Sequence, residues 1–149
     1  GHPMAAGLSL PTENIDLFRA KLNRQQTLTE KELTPVTWID VPMPVSYASK
    51  KLVEQLRVLE PFGKGNEKPV FADRKLTVRS ANMIGKNKNV LKMQLEDTQG
   101  HVVDAIQFKV EEDMPLRGKE ISIVYYPDIN EFRGNQTLQF IVQEWCYTT

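Results

Sequence analysis

The chain begins with one histidine among small residues, Gly-His-Pro-Met-Ala-Ala-Gly at positions 1–7. Glycine and alanine let a ligand approach the main-chain N–H groups closely, so a phosphate could lie against the backbone at Gly1 with His2 beside it. The His2 imidazole could donate a hydrogen bond or carry a positive charge. The alternative is a cloning remnant followed by small residues that only pack tightly. The pattern alone indicates a candidate anion site.

A second candidate is the lysine-rich run Gly-Lys-Asn-Lys-Asn at residues 85–89, which Lys92 follows. Positive charges at Lys86, Lys88 and Lys92 could track a phosphate backbone. A glycine-asparagine-lysine turn is also what a solvated hairpin uses. The residues by themselves therefore leave phosphate contact and a solvated turn equally open.

A third candidate is an aromatic residue beside a cation, Phe132 and Arg133, in the polar run at residues 127–135. We expect this run to form a loop. An aromatic face next to a cation can hold unpaired bases without reading their sequence. The ordinary alternative is that Phe132 folds down and plugs the end of the core.

The glycine- and proline-rich run at residues 61–71 contains a fourth candidate, in which Gly63 and Gly65 flank Lys64 and Asn66 follows. Glycines around a lysine can form an anion-binding nest. The run is not a P-loop, because the required spacing and the serine or threonine after the lysine are absent. A plain interdomain turn is the alternative for Lys64 and Asn66.

No catalytic group can be assigned from the sequence. A metal nuclease needs clustered aspartates and histidines, but His2 and His101 are the only histidines and the carboxylates are scattered. We therefore predict no catalytic residue, no metal site and no cofactor in this chain.

The amino-acid composition restricts the classes of protein to which the chain can belong. Basic and acidic residues number 19 each, so any nucleic-acid-binding face must be local. Cys146 is the only cysteine, which excludes an internal disulfide and suits a reducing cytoplasm. No run approaches the roughly 20 apolar residues of a membrane helix. We expect a cytoplasmic protein without a membrane segment.

Two strands and two helices are predicted before residue 61. Pro11 closes the first strand, and Thr12 is expected to cap a helix that ends near Gln26. A strand is predicted at about residues 36–41, and a second helix is expected from a cap at Ser46 to just before Pro61. These elements cannot easily close a core of their own, which indicates a piece of a longer protein.

Five strand-like runs follow, at about residues 74–84, 89–96, 102–108, 119–126 and 136–146. Leu91, Met93 and Leu95 alternate with polar residues, so one face of their strand should point inward. Tyr125 and Tyr126 should point in opposite directions, so at most one of them should face the core. The fold class predicted is α+β, with a small five-stranded barrel after a partial α/β segment.

The layout and two motifs carry a resemblance to a known family. The five strands resemble an OB-fold. The head, Gly-His-Pro-Met-Ala-Ala-Gly-Leu-Ser-Leu, is similar to the end of the DHH-associated domain of RecJ single-stranded-DNA exonucleases, where Gly-Gly-His precedes the last strand. The connector, Pro-Phe-Gly-Lys-Gly-Asn-Glu-Lys-Pro-Val-Phe, resembles the one before their OB barrel. The implied domains are the tail of a DHH-associated domain (1–60), the connector (61–71) and a nucleic-acid-binding OB-fold (72–149).

The resemblance implies a function that the residues alone do not. RecJ-like enzymes degrade single-stranded DNA from the 5′ end in repair and recombination, with Mn²⁺ or Mg²⁺ held by an upstream DHH domain. The implied partners are single-stranded DNA, that catalytic domain of the same polypeptide, and repair proteins. Gly1 and His2 would line the phosphate path, Lys64 and Asn66 gain weight, and the barrel loops would grip the strand.

Two other functions remain open. The barrel could be a protein-interaction module that never contacts nucleic acid, which zero net charge favours slightly. A Gly-Gly-His head also occurs in phosphoesterases and in proteins that act on aminoacylated RNA, although the connector and barrel argue against these relatives.

Overall fold

The computed structural model describes residues 4–110 and 113–148. The chain divides into two compact units, residues 1–37 and 38–149. Among the described residues, no helix has the length and apolar character needed to cross a membrane.

The first unit holds two helices, α1 (Ile15–Gln25) and α2 (Glu30–Leu33). A 3₁₀ turn at Thr12–Asn14 precedes α1, so the prediction that Thr12 caps this helix was wrong. The helix α2 was not predicted, although Thr29 and Glu32 form a capping box that its sequence signals. Residues 4–10, all of which are described, form no strand, contrary to expectation.

The second unit is built on five long strands, preceded by one short strand and one helix. These elements are β1 (Val41–Pro42), α3 (Lys50–Leu56), β2 (Phe71–Ile84), β3 (Val90–Glu96), β4 (Val102–Phe108), β5 (Glu120–Phe132) and β6 (Asn135–Tyr147). The sheet runs β1-β2-β3-β4-β6-β5, and β2 also pairs with β5, so the five long strands close on themselves. The pairing of β4 with β6 is parallel, whereas the other pairings within the closed sheet are antiparallel. This closed sheet is the predicted OB-fold, in an α+β chain.

The strand expected at residues 36–41 is reduced to the two residues of β1. Val41 and Pro42 pair in parallel with Phe71 and Ala72 of β2. Beyond Pro42 the Met43 N–H still donates to the Ala72 carbonyl at 2.9 Å, and the pairing then ends at Pro44, which lacks an N–H donor. Upstream, the Asp40 carboxylate accepts a hydrogen bond from the Val70 N–H at 2.8 Å and closes the end of the pair.

The helix α3 begins later than predicted. Ser46 lies inside a 3₁₀ turn at Val45–Tyr47. Ser49 is the N-cap instead, and its hydroxyl accepts a hydrogen bond from the Leu52 N–H at 3.2 Å. A 3₁₀ turn at Arg57–Leu59 ends the helical segment before the connector, as the proline at position 61 predicts.

The core of the second unit follows the predicted alternation. Leu91, Met93 and Leu95 of β3 are fully buried, while Lys92 and Gln94 between them are exposed. Opposite strands supply the rest of the core, including Leu76, Val78, Ile121, Ile123 and Phe140. The outward face of β3 is therefore free to carry polar side chains.

Tyr125 and Tyr126 are both buried, so the prediction that at most one faces the core was wrong. The pairing of β5 with β6 shifts register between Val124 and Tyr125. The connector also covers Tyr126, since the Phe62 ring lies edge-on at 6.3 Å between centroids and the Lys68 ammonium lies 4.2 Å from the Tyr126 ring centroid. The connector, which is far from β5 in sequence, therefore buries the Tyr126 side chain that strand alternation predicts to be exposed.

Candidate nucleic-acid interface

The lysine loop at residues 85–89 is a tight, exposed turn between β2 and β3. Ile84 and Val90, which flank it, are direct cross-strand partners. Gly85 and Lys88 have positive φ angles of 85° and 48°, and the Lys88 N–H donates to the Gly85 carbonyl at 3.1 Å. Lys86 and Lys88 are therefore presented to solvent on a turn held by its own backbone.

Lys92 lies on the outward face of β3 at the same end of the barrel. Its cross-strand neighbours are Asn82 of β2 and Ile106 of β4. The structure thus brings Lys92 to the same end as the turn that carries Lys86 and Lys88. These residues form what we call the lysine end of the barrel.

Two residues at the lysine end, Phe108 and Lys109, were not predicted as site residues. Phe108 is the last residue of β4 and the direct cross-strand neighbour of Val90. Lys109 follows with a φ of 59°, and the next N–H, that of Val110, donates to the Asn89 carbonyl at 3.0 Å. Phe108 points outward because side chains alternate along β4 and Ala105, three residues earlier, is buried.

The run at residues 127–135 is a long hairpin, so the prediction of a loop there was wrong. The β5–β6 ladder continues from Pro127–Phe140 to Phe132–Asn135. Arg133 and Gly134 form the two-residue turn, with φ angles of 51° and 79°. The outer part of this ribbon is exposed, so its strands need no apolar face and resemble a loop in composition.

Phe132 does not plug the barrel. Its side chain is 65% exposed near the tip of the hairpin, so the plug alternative was wrong. The Arg133 guanidinium carbon lies 5.1 Å from the Phe132 ring centroid. An exposed aromatic ring paired with a cation is geometrically suited to hold an unpaired base. The binding role of Phe132 and Arg133 stays a prediction.

The lysine end and the hairpin tip lie at opposite ends of the barrel. Strand β4 ends at Phe108, beside the lysine loop. Because β6 runs parallel to β4, the start of β6 next to Arg133 and Gly134 lies at the other end. The structure therefore does not gather the predicted barrel residues into one cluster. A ligand that contacted both groups would have to cross the outward face between them.

In the connector, the side chain of Asn66 has a structural role. Gly63 and Asn66 exchange backbone hydrogen bonds at 2.8 and 3.0 Å. The Asn66 amide nitrogen also donates to the Leu59 carbonyl at 2.8 Å and to the Pro61 carbonyl at 3.0 Å. Lys64 is exposed within this turn. Nucleic-acid contacts by Lys64 and Asn66 stay predictions, with the Asn66 donors already engaged.

His101 and Asp97 form a compact turn after β3. The Asp97 Oδ1 accepts hydrogen bonds from the Gln99 and His101 N–H groups, and the Asp97 Oδ2 lies 2.9 Å from the His101 Nδ1. Burial raises the pKa of the Asp97 carboxyl, but the hydrogen bonds from His101 and Gln99 outweigh it, so this pKa lies below its ordinary value. The pair stabilises this turn.

Within residues 4–110 and 113–148, no group of three or more histidine, cysteine, aspartate or glutamate side chains could hold a metal ion. Gly1 and His2, the predicted phosphate site at the head, lie outside the described residues. What the described part offers is a surface with local positive charge and exposed rings.

A closed five-stranded sheet in which the third long strand pairs in parallel with the fifth defines an OB-fold domain. Comparison with protein families identifies which OB-fold family this domain belongs to. The family model for the RecJ OB domain matches residues 39–144, and the chain belongs to that family.

Two curated relatives are longer proteins. The chain is 36% identical over 147 residues to the single-stranded-DNA-specific exonuclease RecJ of Haemophilus influenzae, covering 95% of this chain and 25% of the relative. It is 30% identical over 148 residues to the RecJ of Bacillus subtilis, covering 97% and 19%. The chain thus spans a quarter or less of these relatives' length.

A solved structure shows the same fold. The crystal structure of RecJ from Thermus thermophilus in complex with Mn²⁺ superimposes with a TM-score of 0.71 at 19% identity. The match covers 100% of this chain and 22% of the Thermus chain. At that identity the likeness establishes the fold alone.

Proposed function

We propose that this chain is the single-stranded-DNA-binding, C-terminal portion of a RecJ-like 5′–3′ single-strand-specific DNA exonuclease that acts in DNA repair and recombination. The observation that carries the proposal is the lysine end of an OB barrel, where Lys86, Lys88 and Lys92 are exposed around one turn. The net charge of the chain is zero, so this concentration is a local feature.

The two ends of the barrel contribute different interactions. Lysines that neutralise phosphates release condensed counterions, so this part of the affinity depends on salt and not on sequence. Phe132 and Arg133 at the hairpin tip offer a ring and a cation to an unpaired base. Lys64 and Asn66 of the connector, and Gly1 and His2 at the head, are proposed as further contacts to the strand.

The hydrolytic step belongs, in this proposal, to a DHH catalytic domain of the same polypeptide that holds Mn²⁺ or Mg²⁺. The described residues offer no ligand set that fits such a metal, so no hydrolytic step is derived from this chain. Residues 1–60 would be the tail of the DHH-associated domain, 61–71 the connector and 72–149 the barrel. We expect this chain alone to bind DNA in the cytoplasm without cutting it, and to meet other repair proteins there.

The test is the salt dependence of binding, measured by fluorescence anisotropy with a labelled oligo-dT strand between about 50 and 200 mM salt. Replacing Lys86, Lys88 and Lys92 should reduce the log–log slope by about 0.7 for each lost phosphate contact. That variant is K86A/K88A/K92A. A matched control removes three exposed lysines elsewhere and should keep the slope: K31A/K51A/K119A.

The outcomes separate the proposal from its alternatives. A wild-type chain that shows no salt-dependent affinity for the strand, or that binds duplex equally well, contradicts the proposal and favours a protein-interaction module. An unchanged slope in K86A/K88A/K92A contradicts phosphate contact by these lysines and removes the observation that carries the proposal. A matched RNA strand tests the RNA-directed alternative. Stacking tolerates either sugar, so tighter binding of RNA than of DNA would indicate contacts to the 2′-hydroxyl and favour that alternative.

A further inference from the structure

An apolar row crosses the outward face of the barrel at the lysine end. Ile84 of β2, Val90 of β3 and Phe108 of β4 are successive cross-strand neighbours. Phe108 is 53% exposed and Ile84 is 39% exposed, so the row is open to solvent. Side chains opposite one another on adjacent strands lie about 5 Å apart. The three side chains therefore form one small continuous surface, which we call the apolar row.

Four lysines flank the apolar row. Lys86 and Lys88 belong to the turn that joins Ile84 to Val90, and Lys109 directly follows Phe108. Lys92 lies in the next cross-strand row, between Asn82 and Ile106. Among the described residues, carboxylates on this face of β2, β3 and β4 begin only in the row after that, at Asp104.

An apolar ring amid four lysines indicates the chemistry of its ligand. A purely apolar partner would gain nothing from the lysines, and a purely anionic one would gain nothing from the ring. A polyanion that also presents flat apolar groups satisfies both, and a polynucleotide with unpaired bases is such a ligand. In a duplex the base faces are covered by their neighbours in the stack, so the ring would find no partner there.

We propose that Phe108 stacks on an unpaired base, beside Ile84 and Val90, and so makes the lysine end select single-stranded over double-stranded nucleic acid. This inference rests on the proposed function and deepens it, because it names the residue that discriminates strandedness. The lysines contact phosphates, which both forms carry, whereas Phe108 contacts a base face that only the unpaired form exposes. The lysines contribute affinity for both forms of the nucleic acid, whereas the Phe108 ring adds affinity for the single strand alone.

The experiment compares Phe108→Ala with wild type on an oligo-dT strand carrying 2-aminopurine and on the matched duplex. Base stacking is sequence-tolerant and its loss is large enough to measure, so F108A should bind the single strand about 10-fold more weakly. It should leave duplex affinity and the salt slope unchanged and lose the fluorescence quenching that stacking on the ring causes. The control V102A removes an exposed apolar side chain at the far end of the same strand and should change none of these.

Two further variants separate stacking from plain apolar contact and from misfolding. F108W should retain quenching and affinity, whereas F108L, which keeps an apolar side chain without a ring, should behave as F108A does. Affinity restored by F108L overturns the proposal, as does an equal loss for single strand and duplex. If F108A binds normally while K86A/K88A/K92A has a reduced slope, Phe108 has no role and the proposed function stands. Absence of any strand binding by wild type overturns both.

Discussion

The Tyr125 hydroxyl donates a hydrogen bond to the Met43 backbone carbonyl at 2.9 Å, across 82 residues of sequence. Burial, and then the nearby Asp73 carboxylate, raise the pKa of Tyr125 above its ordinary value. Asp73 also accepts a hydrogen bond from the Val45 N–H at 2.8 Å. The segment between β1 and α3 is thus attached to the barrel at two neighbouring points.

We expect Tyr125→Phe to lower the free energy of unfolding by about 1–2 kcal/mol, because the Met43 carbonyl loses its donor while the ring packing is kept. Urea denaturation followed by circular dichroism measures this change. Tyr47→Phe is the control, since Tyr47 is 74% exposed and its variant should match wild type. Equal midpoints for the two variants would show that the Tyr125 hydrogen bond contributes nothing.

We expect Arg133 to contribute to single-strand binding and, at the same time, to lower the stability of the turn in which it lies. Both turn residues of the β5–β6 hairpin have positive φ angles, a conformation that favours asparagine and glycine over arginine. Arg133→Asn is therefore expected to raise the free energy of unfolding by about 0.5–1 kcal/mol. The same change should weaken single-strand binding, because the cation beside Phe132 is lost.

Arg133→Lys provides the control for that prediction, since it keeps both the charge and the unfavourable turn residue. Its stability should equal that of wild type, and most of its affinity should remain. Stability is read from urea midpoints and affinity from anisotropy. An Arg133→Asn variant that binds as wild type does would remove Arg133 from the binding surface.

The Asp97 turn should make stability depend on pH in the acid range. The pKa of Asp97 is lower in the folded chain than its ordinary value. Its stabilisation is therefore complete above the unfolded pKa of about 4 and is lost as the pH falls through the folded pKa. Asp97→Asn keeps an acceptor for the two backbone N–H groups but cannot titrate.

The stability difference between wild type and D97N should be largest above about pH 5 and should shrink towards pH 3. Urea midpoints at several pH values measure it. Asp113→Asn, which alters an exposed carboxylate elsewhere, should show no such convergence. A constant difference between wild type and D97N would mean that the charge of Asp97 is not what stabilises the turn.

Asn66 and Lys64, neighbours in the connector, should respond differently to substitution. Asn66→Ala removes the donor to the Leu59 and Pro61 carbonyls, which should cost about 1 kcal/mol at this exposed site. Lys64→Ala should leave the unfolding midpoint unchanged and reduce the salt slope if Lys64 contacts a phosphate. Reduced binding by N66A at unchanged stability would reverse the roles inferred for Asn66.

Much of the barrel was predictable because strand alternation is a local property. The runs around Leu91 and Phe140 show one buried face each, and their strands lie within a few residues of the predicted bounds. The hairpin at Phe132 was not predicted, because it lacks this local alternation. Its strands leave the core, so neither face is apolar and the period-two signal disappears.

The sequence by itself determined the phase of the buried strands, the turn that presents Lys86 and Lys88, and, through its motifs, the family. Only the tertiary structure decided that Phe108 completes a row with Ile84 and Val90, that the connector covers Tyr126, and that the hairpin tip lies at the opposite end from the lysines. The physical reason is the sequence separation between the residues that determine each feature. Alternation depends on adjacent residues, whereas register and closure depend on pairings between strands far apart in the chain.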